Sequence, residues 1–192
     1  MSFLILGLVL FLGAHSVRVF AEGWRTSMRA RLGENAYQGL YAVASLVGLV
    51  LIVVGYGAAR QQPVLLWLPP VWTRHLAALL TVPAFILLVA AYVPGNRIKA
   101  KVHHPMVLSV KVWALAHLLV NGNLADVLLF GGFLLWAVLC FRAARQRDRL
   151  GSVVYPPGRS GPTLVAVAAG LALWAGFAFW AHGVLIGVRP FG

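Results

Sequence analysis

Only four carboxylates serve this chain of 192 residues: Glu22, Glu34, Asp126 and Asp148. No pair of them supports general acid–base catalysis. Cysteine is scarcer still. Cys140 stands alone, which excludes an intrachain disulfide and a Cys-x-x-Cys motif, and a single buried thiol most often packs as a small hydrophobe. There is no His-Glu-x-x-His zinc pattern, no phosphate loop and no dinucleotide fingerprint. Charge of either sign is sparse: 10% of residues are charged, against roughly 25% in a soluble domain. The 16 basic residues give a net charge of +12, but they gather at the ends of apolar runs. That leaves no contiguous basic polar surface for nucleic acid. The basic residues instead serve orientation and contact with anionic membrane lipids.

What the chain does have is apolar length. It is 61% hydrophobic, with a mean hydropathy of +0.86. Apolar stretches occupy residues 2–20, 36–59, 72–93, 106–120, 124–141 and 163–188. A span needs about 20 residues, so the fourth stretch is short, and it carries Lys111. The expected fold is all-α: a polytopic membrane helical bundle of about six transmembrane helices, in one domain over 1–192. Pro105 suits the first turn of a helix, and Asn121-Gly122-Asn123 reads as a tight turn into the fifth stretch, making a helical hairpin. Arg and Lys are concentrated in alternate loops, after the first, third and fifth stretches, which marks those loops as cytoplasmic and both termini as outside. Residues 1–20 lack the basic leader of a signal peptide, so they read as a retained helix. The proline-broken segment 61–71 is expected along the outer surface or over the outer mouth of the bundle, with Trp67 and Trp72 at the interface.

The histidines are the candidate chemistry. His15, His103 and His104 fall on the cytoplasmic side; His75, His117 and His182 fall on the outer side. Ionisable groups within a span are costly and mark functional positions; interfacial ones are cheap and often bond a carbonyl or a head group. His103 reads as interfacial. At 100° and 1.5 Å per residue, His104 and His117 lie roughly 20 Å apart on different faces. His104 shares a face with Lys111, and His117 with Trp113 and Asn121. A b-type haem needs one or two imidazoles and an apolar slot between helices, and Arg or Lys near the interface can meet its propionates. His15 with Arg18, and His75 with Arg74, supply such combinations. Depth alone would pair His15 with His104, or His75 with His117. The candidate cofactor-binding residues are therefore His15, His117, His104, His75, Arg74 and Lys111.

Several segments carry a family resemblance. They are Gly13-Ala14-His15-Ser16, Ala30-Arg31-Leu32-Gly33 with Tyr37 and Leu40-Tyr41, Ala90-Ala91-Tyr92-Val93-Pro94, His104-Pro105-Met106, and Leu115-Ala116-His117-Leu118 before Asn121-Gly122. In this order and spacing the chain resembles the NnrU family of bacterial inner-membrane proteins from the first stretch to about residue 142. The resemblance implies a multi-pass protein of the bacterial inner membrane linked to nitrite and nitric oxide reduction in denitrification. The chain is also similar to the 15-cis-zeta-carotene isomerases, membrane enzymes dependent on haem b. That similarity implies haem b here, with His15 and His117 as the metal ligands, and a lipid-soluble substrate for redox or isomerase-like chemistry. Where those isomerases carry a cysteine three residues before the second histidine, this chain has Ala114, so a mechanism using that thiolate is absent. His104-Pro105-Met106 at a hairpin entry is also similar to the Arg-His-Pro motif of isoprenylcysteine and phospholipid methyltransferases, but the paired glutamates that follow in those enzymes are missing. The alternatives to a haem protein are thus a non-enzymatic accessory membrane protein without cofactor and an isoprenylcysteine-methyltransferase-like enzyme.

Overall fold

Two backbone breaks, at Ala21 and Gly33, cut the N-terminal region into three helices: α1 (Ser2–Phe20), α2 (Glu22–Leu32) and α3 (Glu34–Gln61). Gly33 sits at φ 82°, a conformation that costs glycine little. The computed structural model describes residues 1–191; Gly192, the last residue of the expected domain, lies outside them. Further along the chain are α4 (Trp72–Tyr92), α5 (Arg97–Val102), α6 (Pro105–Val120), α7 (Leu124–Leu150) and α8 (Ser160–Gly176), then a π-helical segment (Phe177–Ala181) and α9 (His182–Ile186). Helix accounts for 81% of the chain. Among the described residues, five helical runs are long and apolar enough to cross a membrane: α1, α3, α4, α7 and the continuous run Ser160–Ile186. The fourth apolar stretch differs. Its helix α6 has 16 residues, about 24 Å at 1.5 Å per residue, short of a hydrocarbon core of about 30 Å.

The chain divides into two compact units: residues 1–68 with 121–140, and residues 69–120 with 141–191 of the described chain. The first is built on the α1–α3 pair, which meets through glycines. A methyl group added at Gly7 would lie 2.6 Å from the Ile52 backbone nitrogen, and one at Gly48 would lie 2.8 Å from that of Phe11. At Gly55 it would collide with the backbone of Phe3 and Leu4. Small residues let helix backbones approach in lipid, where dispersion contacts replace the hydrophobic drive. Leu4 is fully buried in this seam.

In the same unit, the segment after α3 is extended. Leu65 bridges Asn123, and Leu66 N–H and Leu124 N–H bond the carbonyls of Gly122 and Val64, each at 2.8 Å. The proline-broken segment thus lies along the turn that opens α7. At that opening Asp126 Oδ2 reaches back and accepts from the backbone and side-chain amides of Asn123 at 3.3 and 3.0 Å. Asp126 is 3% exposed, and Tyr56 donates its hydroxyl to Oδ1 at 2.5 Å. Tyr56→Phe should therefore lower stability by about 2 kcal/mol, the cost of leaving a buried acceptor unsatisfied, measurable as a fall in the detergent unfolding midpoint.

In the second unit, α4 packs against both α6 and α8. Ser109 on α6 donates to Ala84 O on α4 at 2.7 Å. Gly170 on α8 comes so close to Ile86 that a methyl would sit 2.7 Å from its Cα. Pro83 removes one N–H from the middle of α4. Nearby, Trp174 Nε1 donates to Thr81 Oγ1 at 3.0 Å, and that hydroxyl donates to Ala78 O at 2.9 Å. Asn96, 1% exposed, joins the end of α4 to the start of α5. Its Nδ2 donates to the carbonyls of Ala90 and Val93, and its Oδ1 accepts the Lys99 N–H.

Candidate functional site

His15 lies in α1, five residues before the helix ends at Phe20, and is half-buried in the first unit. The helical period places Phe11 one turn back, and His15 Nδ1 bonds the Phe11 carbonyl at 2.7 Å. The two rings stack with centroids 4.2 Å apart. Tyr41 of α3 approaches to 5.2 Å, and Trp136 of α7 stands edge-on at 6.2 Å. If Nδ1 carries the proton it donates to Phe11 O, and Nε2 keeps its lone pair, as in a metal-ligating imidazole fixed through its other nitrogen. Beside it, Trp136 Nε1 is buried without a hydrogen-bond partner among the described residues. A buried, unsatisfied N–H is uncommon and calls for an explanation such as a missing acceptor.

His117 repeats this local design in the second unit. Its Nδ1 bonds Trp113 O at 2.9 Å, and the Trp113 ring lies 5.0 Å from the imidazole. The expected shared face of Trp113 and His117 is observed. Ala114, where the isomerases carry cysteine, is fully buried. Arg74 and His75 are both exposed at the start of α4. His182 bonds Val188 O through Nδ1 at 2.6 Å, next to the π-helical segment. Among the described residues, no three His, Cys, Asp or Glu side chains come together as a site for a bare metal ion.

The second unit also holds a polar cluster at the α5–α6 junction. His103 has φ 67° and ψ −48°, and His104 N–H bonds Val102 O at 2.8 Å across it. This is a γ-turn of the rare positive-φ type, a strain of about 1–3 kcal/mol at a non-glycine residue. The turn aims two consecutive imidazoles at one carboxylate. His104 Nε2 lies 2.8 Å from Asp148 Oδ2, and His103 Nδ1 lies 3.8 Å from the same oxygen. Tyr155 donates its hydroxyl to Asp148 at 3.1 Å and stacks on His103 at 4.0 Å. Arg145 completes the cluster by bonding His103 Nδ1. Burial, then the hydrogen bond to the Asp148 carboxylate, pushes the Tyr155 phenol up from its ordinary value, so it stays a donor at neutral pH. His104 and Lys111, expected on one face, flank a single ring. The Lys111 ammonium is 5.8 Å from the centre of Phe141, and His104 meets that ring edge-on at 6.2 Å.

The sequence marked the histidines but not their surroundings. Sequence alone gives Trp136 and Tyr155 no role, Tyr41 only a place in a family segment, Arg145 only a place among the basic residues at a span end, and Asp148 only a place among four unpaired acids. A single carboxylate among Arg142, Arg145, Arg147 and Arg149 was the available signal, because such an acid must find a cationic or donor partner.

Long apolar helices with histidines set into them define the class: a polytopic helical membrane protein. The particular family is then plain. The chain belongs to the NnrU family, whose model, described as NnrU protein, matches residues 3–190. No curated protein and no solved structure matches it. The likeness to the carotene isomerases therefore rests on the sequence segments alone.

Proposed function

We propose that this chain is a haem b-binding protein of the bacterial inner membrane, and that His15 and His117 are the imidazoles that would hold haem iron. The supporting observation is the built environment of His15: Nδ1 held by the Phe11 carbonyl, aromatic walls from Phe11, Tyr41 and Trp136, and an indole N–H without an acceptor. These residues fit a porphyrin, which needs an oriented imidazole and apolar, aromatic contact. His117, anchored in the same way to Trp113 O, supports its assignment. When bound, haem supplies one-electron chemistry or Lewis-acid activation of a substrate. The protein's own part is to fix each imidazole through Nδ1, to keep water from the rings, and to admit a substrate from the bilayer. Redox or isomerisation chemistry on a lipid-soluble substrate fits this setting. Support of nitrite and nitric oxide reduction is the physiological role that the family resemblance favours.

The absorption spectrum is the test. Protein expressed with added haem and purified in detergent should show a Soret band, and His15→Ala and His117→Ala should each remove most of it while the helical circular dichroism stays. A colourless wild-type protein would sink the reading. So would variants that keep the full band.

A further inference from the structure

All four acids of the chain are committed. Glu22 pairs with Arg25, Glu34 with Arg29, Asp126 with Tyr56 and Asn123, and Asp148 with His104 and Tyr155. Lys111, two turns into an apolar helix, therefore meets no carboxylate among the described residues, and its ammonium rests against the Phe141 ring. An ammonium in a span is retained where it has an anion or a pathway to serve. Side chains lean toward the N-terminus of their own helix, so Lys111 reaches toward His104. The His104 imidazole is oriented by Asp148 through Nε2, and its Nδ1 has no hydrogen-bond partner among the described residues. Lys111, Phe141 and His104 are all half-buried, so the face they form remains open to a ligand.

We propose that this face of α6, between Lys111 and His104 and walled by Phe141, binds the head group of an anionic phospholipid. Lys111 holds the phosphate, His104 Nδ1 bonds the polar group beyond it, and Phe141 packs against the glycerol and upper acyl chain. The site is independent of haem. It gives the strained turn at His103 a purpose, because that turn sets His104 Nε2 against Asp148 and leaves Nδ1 without a partner among the described residues.

The full-length protein in neutral detergent would be titrated with phosphatidylglycerol, phosphatidylcholine or inorganic phosphate, with bound lipid read by native mass spectrometry. One phosphatidylglycerol should be retained per chain, with about a tenfold preference over phosphatidylcholine, as one charge-assisted contact provides. Lys111→Met should abolish that preference and Lys111→Arg should keep it. Should Lys111→Met fail to fold, Lys111→Gln serves, and His104→Gln provides an independent reading with a smaller loss of affinity. Equal retention of both lipids by the wild type, or an unchanged preference in the Lys111 variants, would overturn the proposal. Inorganic phosphate binding as tightly as the lipid would overturn the lipid assignment.

Discussion

Gly55→Leu should separate α1 from α3. Even a methyl at this position collides with the backbone of Phe3 and Leu4, and backbone cannot swing aside as a flexible side chain can. The helices must move apart along a seam that also includes Gly7 and Gly48, where an added methyl would lie 2.6 and 2.8 Å from neighbouring backbone. Overpacking costs about 1–3 kcal/mol, and we expect the upper end because the contact repeats over several turns. The loss should appear as a lower unfolding midpoint in detergent. Tyr41 of α3 also walls His15, so any Soret band should weaken with it. Gly57, also on α3, has open space around its Cβ position, and Gly57→Leu should change the midpoint little. Equal effects at Gly55 and Gly57 would show that the seam is not closely packed.

Asn96→Ala should be the second large effect. Three hydrogen bonds end on this one side chain, two to the carbonyls of Ala90 in α4 and Val93 just past its end, and one from the first turn of α5. Loss of an N-cap costs about 1 kcal/mol, and stranding buried carbonyls adds about 1–3 kcal/mol. Together about 3 kcal/mol is expected. The damage should spread to the segment that leads into α8, because the residues flanking Asn96 are tied there: Arg159 N–H bonds Gly95 O at 2.8 Å, and Arg97 N–H bonds Thr163 Oγ1 at 2.9 Å. Hydrogen exchange should therefore rise at 95–103 and at 157–163 together. Exchange confined to α5 would mean that the two segments are not coupled.

The helices were legible where apolar length carried the signal. The stretch 2–20 coincides with α1, and Pro105 opens α6 as its fixed φ favours. Polar helices were not legible. α2 and α5 lie in the basic loops, and their sequences show no apolar run long enough to announce a helix. Among the site residues, the face shared by His104 and Lys111 and the face shared by Trp113 and His117 followed from helical period alone. The partners of His103, His104 and His15 did not, because Asp148, Tyr155, Tyr41 and Trp136 reach them through tertiary packing. The γ-turn at His103 was equally hidden: a histidine at positive φ has no sequence signature.

The break at Ala21 has a mechanical consequence. α2 carries Trp24, Met28 and Leu32 at four-residue spacing, while Arg25 and Arg29 follow a neighbouring row, an arrangement suited to lying in the plane of the head groups. It begins two residues after α1 ends, so with its apolar row in that plane it would act as a float tied to a short line. Because His15 is five residues up that line, its ring would then keep a depth of roughly 7–8 Å beneath the float at helical rise, whatever the thickness of the membrane on the far side.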